Sequence, residues 1–131
     1  MSNSEIPASL IDLLDRPLYG ALGTVGRDES AQVSPMWFER DDMTIRFTHT
    51  TKRAKYRNLQ RNSSMSLMVF DPENPQRYIE VRGHLVEATP DPTGGFYQRL
   101  GRRYGNPDTP APADAADRVI LVMSIAKVIG R

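Results

Sequence analysis

The sequence of 131 residues contains no cysteine and only two histidines, His49 and His84. Without cysteine there can be no disulfide, thiolate nucleophile or zinc–thiolate site. Two histidines without a matching group of carboxylates predict no metal site. The sequence also lacks an apolar run of membrane-spanning length, and residues 1–7 have neither the cationic start nor the apolar segment of a signal peptide. We therefore expect a cytoplasmic protein.

Neither sign of charge dominates the chain, which has 17 Lys and Arg against 16 Asp and Glu and a net charge of +1. Proteins that bind nucleic acids or membrane surfaces usually have an overall basic excess, so neither partner is predicted. The length predicts one domain that covers residues 1–131. Such a chain is short for an enzyme with an internal active site, and we therefore expect it to form oligomers.

The basic residues are clustered after one alternating strand. Residues 43–48 alternate between apolar and polar side chains, as in a strand with one buried face. Residues 51–61 follow with a helical pattern, for which Thr50 or Thr51 is a suitable N-cap. The chain therefore passes from a strand, through hydroxyl side chains, directly into a basic helix.

The first turn of this predicted helix is unusual because it contains Lys52, Arg53 and Lys55 but no carboxylate. Cations at a helix start oppose the macrodipole, which favours negative charge there. An anion would remove the conflict, since the unpaired N–H groups of the first turn also bind phosphate or carboxylate. A solvated basic face is the alternative interpretation. Anion binding is thus one of two hypotheses for this segment.

Six short strands are predicted, and the helices only interrupt them. The strands span residues 18–25, 31–39, 43–48, 65–70, 79–85 and 119–129. The helices are a short one capped by Ser4 and ending at Arg16, the basic helix, and a third over 96–104. Residues 119–129 are apolar on both faces for much of their length, as in a central or interface strand. Hairpin spacing predicts a mainly β fold, a small antiparallel barrel.

Four segments in this order resemble a known family. They are Thr-Thr-Lys-Arg-Ala-Lys-Tyr-Arg-Asn-Leu at 50–59, Met-Ser-Leu-Met-Val-Phe-Asp-Pro at 65–72, Tyr-Ile-Glu-Val-Arg-Gly at 78–83 and Lys-Val-Ile-Gly at 127–130. Their order and spacing resemble the pyridoxamine-phosphate-oxidase-like split barrels that bind FMN. More narrowly, the chain is similar to the actinobacterial branch of probable coenzyme F420-dependent oxidoreductases.

The resemblance implies a homodimer of six-stranded antiparallel split β-barrels with flanking helices, with each cofactor in a groove at the interface. It also implies cofactor-binding positions on two strands and at the start of the basic helix. These positions are Gln32, Ser34, Pro35 and Met36 under the ring, Phe47, Thr48, His49 and Thr50 beside it, and Lys52, Arg53 and Lys55 at the phosphate. Trp37 is either a wall of this site or a core residue.

The resemblance leaves two cofactors open. FMN carries one phosphate, whereas F420 carries a phosphodiester and an oligoglutamate tail, and the basic cluster extends beyond what one phosphate needs. We therefore expect an F420-dependent oxidoreductase that transfers a hydride between F420 and a small electron-poor organic acceptor, with no catalytic side chain required. The alternatives are an FMN-dependent oxidoreductase on the same fold and a non-catalytic protein that only binds F420 or a flavin.

Overall fold

The structure is a computed structural model that describes residues 5–131; the proposed Ser4 cap lies outside these residues. Within this described range, seven strands and three α-helices follow one another. The strands are β1 (Gly20–Val25), β2 (Ala31–Met36), β3 (Glu39–Asp41), β4 (Thr44–Thr50), β5 (Ser64–Asp71), β6 (Asn74–Pro90) and β7 (Arg118–Gly130). The helices are α1 (Asp12–Asp15), α2 (Ala54–Arg61) and α3 (Gly95–Arg103), and a short 3₁₀ turn (Ala115–Asp117) precedes β7.

All seven strands form one antiparallel sheet in the order β2-β1-β5-β6-β7-β4-β3. The two edge strands, β2 and β3, are consecutive in the chain and joined only by Trp37 and Phe38. Six strand spacings of about 4.8 Å would separate the edges of a flat sheet by roughly 29 Å. The connection from Met36 to Glu39 spans at most about 11 Å. The sheet must therefore curl until its edges meet, which produces a barrel that is open between β2 and β3.

The prediction of a mainly β, split-barrel fold is confirmed, but the prediction of six strands is wrong. Residues 31–39 form two strands rather than one, because the backbone changes direction at Trp37 and Phe38 and the second part pairs with β4. Strand β6 is also longer than predicted. Its ladder extends from Asn74 to Pro90 and absorbs two irregularities of register against β7, because β-bulges allow a long strand to bend around the barrel.

The barrel interior is filled by inward-facing side chains of the central strands. In β7, Val119, Leu121, Met123 and Ile125 are buried, whereas the alternate residues are partly exposed. This strand pairs with β6 on one side and β4 on the other, so the expectation of a central strand is confirmed. Among residues 5–131, no helix is long and apolar enough to cross a membrane.

Helix α3 contacts the connection between the two edge strands through Arg103. The guanidinium of Arg103 donates hydrogen bonds to the backbone carbonyls of Phe38, Leu14, Asp15 and Arg16 at 2.9 to 3.3 Å. It thereby ties the C-terminal end of α1 to the connection between β2 and β3. Because this connection forms one wall of the cleft described next, α3 acts as its support.

Candidate functional site

A cleft of about 570 Å³ opens where β2, the end of β4, the start of α2 and the start of β7 meet. This volume lies within the range of small-molecule sites. Its lining residues come from five separate parts of the chain. They are Tyr19, Gln32, Ser34, Pro35, Met36, Trp37, Thr48, His49, Thr50, Arg53, Ala54, Lys55 and Arg118. Within the described part of the chain, three cations and no carboxylate line the cleft.

Lys55 lies in the wall of the cleft and is only 3 % exposed. Its Nζ donates a hydrogen bond to Ser34 Oγ at 2.7 Å, and this contact joins α2 to β2. One turn along the helix, Asn58 Nδ2 donates to Gln32 Oε1 at 3.3 Å. Burial lowers the pKa of Lys55, and no carboxylate among the described residues offsets this effect. The ammonium is therefore a buried cation that has no counter-ion among residues 5–131.

Arg53 stands at the N-terminal end of α2, beside Lys55. It is the N-cap residue and has an extended backbone, with φ −103° and ψ 157°. The helix begins at Ala54, so the expected N-cap at Thr50 or Thr51 is wrong. Thr50 Oγ1 accepts a hydrogen bond from the backbone N–H of Lys52 at 3.2 Å instead, which makes a turn before the helix. Of the three basic residues expected in the first turn, only Lys55 lies there.

Arg118 brings a third cation to the cleft from the start of β7. Antiparallel pairing sets Arg118 opposite Thr50 in β4. The side chain is held by Asp114, whose Oδ1 accepts from Nε at 3.0 Å, and by the ring of Tyr97, whose centroid lies 4.8 Å from Cζ. Nη1 lies 3.5 Å from Thr48 Oγ1. Arg118 thus has a fixed position in the cleft.

His49 lies between these cations and is buried, with 9 % of its surface exposed. Burial, together with the charges of Lys55, Arg53 and Arg118, lowers the pKa of His49 to about 4. The imidazole is therefore neutral at pH 7. Its Nε2 is buried and has no hydrogen-bond partner among the described residues. A buried polar atom without a partner costs about 1–3 kcal/mol, so it calls for an explanation such as a ligand at the site.

Aromatic side chains form the opposite end of the cleft. Trp37 stacks on Tyr104, with ring centroids 5.2 Å apart and an interplanar angle of 14°. Tyr19 packs edge-on against the other side of Tyr104 at 5.6 Å. Burial raises the pKa of Tyr104, and its hydroxyl donates to the backbone carbonyl of Leu18 at 2.8 Å. The hydroxyl proton of Tyr104 is therefore already engaged in a hydrogen bond within the protein.

The structure brings together nine of the eleven cofactor-binding positions expected from the sequence. These are Gln32, Ser34, Pro35, Met36, Thr48, His49, Thr50, Arg53 and Lys55. The other two lie elsewhere. Phe47 is fully buried in the barrel core, because alternation along β4 turns its side chain inward. Lys52 is exposed in the turn before α2 and does not line the cleft.

Three lining residues were not expected from the sequence: Tyr19, Ala54 and Arg118. Ala54 lines the cleft because α2 begins later than predicted, at this residue. Tyr19 and Arg118 each stand at the edge of a strand, and nothing in the local sequence distinguishes them from other surface residues. Only the pairing of β7 with β4 brings Arg118 to Thr50. Only a correct prediction that β7 pairs with β4 would have identified Arg118 as a residue of the cleft.

A second cavity, the apolar groove, continues from the aromatic end of the cleft. It has a volume of about 460 Å³ and shares Tyr19, Ser34 and Pro35 with the cleft. Its lining includes Val33 and Phe70, which are 61 % and 46 % exposed. No charged side chain of the described residues lines it. Positive charge is thus confined to one end of a continuous surface whose other end is apolar.

Comparisons with known proteins agree with this geometry. The pyridoxamine 5'-phosphate oxidase family model matches residues 6–131. A solved structure described as an F420 reductase is 50% identical, covers 96% of this chain and 100% of its own, and superposes with a TM-score of 0.92.

Two more distant structures share the fold alone. A putative 5-nitroimidazole antibiotic resistance protein from Bacteroides thetaiotaomicron is 15% identical, with coverage of 95% of this chain and 82% of its own and a TM-score of 0.71. A conserved hypothetical protein from Mycobacterium tuberculosis is 20% identical, with coverage of 98% and 86% and a TM-score of 0.69. No curated protein matches the sequence.

Proposed function

Because this chain belongs to the pyridoxamine 5'-phosphate oxidase family, we propose that it is an oxidoreductase that binds coenzyme F420 in the cleft. The similar structure described as an F420 reductase supports this choice of cofactor. The substrate is a small electron-poor organic acceptor. When bound, F420 supplies or accepts a hydride through its deazaflavin ring. The protein contributes binding, orientation and the exclusion of water.

The observation that carries the proposal is the buried ammonium of Lys55. A buried cation without a counter-ion is costly, because desolvation is not repaid by an ion pair. Arg53 and Arg118 face the same cleft, and no described carboxylate does. Arg118 is already paired with Asp114, so an anionic ligand would chiefly offset the repulsion between Lys55 and Arg53, and it would meet the N-terminal N–H groups of α2. The cleft therefore fits a ligand with at least one phosphate.

The remaining lining residues fit a ligand that is flat and aromatic at its other end. Thr48 and Thr50 offer hydroxyls, and neutral His49 offers ring nitrogens, between the cations and the aromatic wall. Trp37 and Tyr19 provide apolar surface against which a planar ring packs. The cations would hold the anionic part, and the aromatic wall would orient the ring. No side-chain nucleophile or general acid is needed for hydride transfer, and we assign none.

FMN is the second candidate, and the family description favours it. Arg53 and Lys55 suffice for one phosphate, whereas Arg118 adds a third cation that suits the longer anionic tail of F420. A protein that binds either cofactor without catalysis has the same cleft. Titration with each cofactor distinguishes F420 from FMN. Reduction of an added acceptor tests whether the protein is catalytic or only binds the cofactor.

We also propose that the protein is a homodimer with the cofactor at the interface. The apolar groove supports this arrangement because it adjoins the cleft and exposes Tyr19, Val33 and Phe70. Contiguous exposed apolar surface of this kind is typical of an interaction site. A second copy that covered the groove would also cover the aromatic end of the cleft and would shield a bound ring from water.

The proposal is tested by titrating the purified protein with F420 and with FMN while following ring fluorescence. We expect tighter binding of F420. Arg53→Ala should weaken F420 binding about ten- to a hundredfold, because a charge-assisted hydrogen bond contributes roughly 1.5–3 kcal/mol. Lys55→Met, which keeps the length of the buried side chain, should have a similar effect. High salt should weaken binding by the wild type more than by either variant.

The matched control is Arg57→Ala. Arg57 lies in the same helix and is exposed, but it does not line the cleft, and its Nη1 donates to the backbone carbonyl of Lys52. This variant should bind F420 almost as the wild type does. If Arg53→Ala and Lys55→Met remain folded and bind both cofactors like the wild type, these basic residues do not hold the cofactor and the assignment is wrong.

A further inference from the structure

Tyr104 packs against two residues that line the cleft, although it does not itself line the cleft. Its ring lies between Trp37, stacked at 5.2 Å, and Tyr19, edge-on at 5.6 Å. Both neighbours belong to the lining. The side chain of Tyr104 is thus a spacer between two walls that come from separate segments of the chain, the residue before β1 and the connection between β2 and β3.

The hydroxyl of Tyr104 fixes the backbone on which these walls stand. It accepts a hydrogen bond from the backbone N–H of Phe38 at 3.1 Å and donates to the carbonyl of Leu18 at 2.8 Å. Phe38 follows Trp37, and Leu18 precedes Tyr19. One phenol therefore ties together both segments that carry the aromatic wall. These segments are the connection between the edge strands and the approach to β1.

We propose that Tyr104 is a positioning residue that holds Trp37 and Tyr19 in place for the cofactor ring. This inference rests on the proposed function, because it assigns the aromatic wall to the ring rather than to the anionic tail. Among the described residues the hydroxyl of Tyr104 bonds only to the backbone of Leu18 and Phe38. It does not contact the groups that hold the cations, which are Ser34 for Lys55 and Asp114 and Tyr97 for Arg118. Loss of the phenol should therefore weaken recognition of the ring and leave recognition of the anion unchanged.

Two probes separate these contributions. F420 contains the ring and the anionic tail, whereas its ring-and-ribityl fragment lacks the phosphodiester. Tyr104→Phe keeps the aromatic ring and removes both hydrogen bonds of the hydroxyl. We expect it to weaken F420 and the fragment by the same factor, roughly three- to tenfold, as for the loss of one or two neutral hydrogen bonds. Arg53→Ala should weaken F420 and leave the fragment unchanged.

The sequence contains a single tryptophan, so fluorescence excited selectively at the tryptophan absorption edge reports on Trp37 alone. Quenching by acrylamide should increase in Tyr104→Phe, and increase further in Tyr104→Leu, which also removes the stacked ring. The matched control is Tyr56→Phe. Tyr56 lies in α2, packs against the core and does not line the cleft. This control should change neither the quenching nor the affinity for the fragment.

Two results decide the inference. If Tyr104→Phe lowers the melting temperature but leaves both Trp37 quenching and fragment affinity at wild-type values, Tyr104 is only structural and the inference is overturned. If the wild type binds neither F420 nor the fragment, the proposed function fails. Quenching of Trp37 in Tyr104→Phe then decides the positioning role alone, and an unchanged value refutes it.

Discussion

Lowering the pH should destabilise the protein through one buried histidine. Burial and the neighbouring cations lower the pKa of His49 to about 4, whereas the unfolded chain takes up this proton near 6.5. Between these values the unfolded state binds more protons, so the free energy of unfolding decreases as the pH falls. The loss begins below about pH 6.5 and is complete below about pH 4. The difference between the two pKa values corresponds to about 3 kcal/mol.

The assay is urea denaturation of the wild type and of His49→Gln between pH 7.5 and 4 at constant ionic strength. The variant lacks the titrating group, so its free energy of unfolding should fall by about 3 kcal/mol less over this interval. Protonation of carboxylates changes the free energy of unfolding at lower pH than protonation of His49 does. The hydrogen bond from Arg77 lowers the pKa of Asp12 below 3.8, so the stability from that pair is lost only in more acidic solution. Parallel curves for wild type and variant would refute the argument.

Three further outcomes are expected. Val33→Glu, which places a charge in the apolar groove, should halve the mass measured by light scattering at micromolar concentration; a monomeric wild type would contradict the proposed dimer. With its own cofactor bound and reduced, the protein should consume little oxygen, because a deazaflavin exchanges electrons in pairs. Rapid consumption without an added acceptor would favour FMN. Gly83→Ala should lower the free energy of unfolding by at least about 3 kcal/mol. The reason is that the added Cβ would lie 1.6 Å from the Ser124 carbonyl oxygen. An unchanged urea midpoint would show that β6 and β7 can separate at this position.

Local patterns predicted most of the fold. The alternation in residues 43–48 identifies β4, and the helical pattern after Thr51 identifies α2, because both depend on which side chains near in sequence share a face. The start of α2 was predicted too early. The hydroxyl of Thr50 bonds to the Lys52 N–H and makes a separate turn first, and the sequence does not distinguish this turn from a cap.

The candidate site was only partly predictable, because some of its lining residues reach it through contacts between distant parts of the chain. Ser34 and Lys55 were expected from the resemblance, and the structure joins them by a hydrogen bond. Arg118 and Tyr19 were not, since their places follow from the pairing of β7 with β4 and from the position of α3. Periodicity shows which side of a strand is buried but not which strand lies next to it. The break at Trp37 was missed for the same reason.

The position of β7 in the sheet has a consequence for synthesis. It is the seventh strand in chain order, yet it lies between β6 and β4. Until it emerges from the ribosome, β3 and β4 have no ladder to the other strands, and Arg118 cannot reach Thr50. Until then, β6 and β4 each have one edge without a partner strand. The nascent chain must therefore avoid pairing of these two edges with strands of other chains. The cleft is complete only after this strand is inserted, because Arg118 is one of its lining residues. Expression with an ample supply of the proposed cofactor should therefore not rescue chains arrested before residue 118.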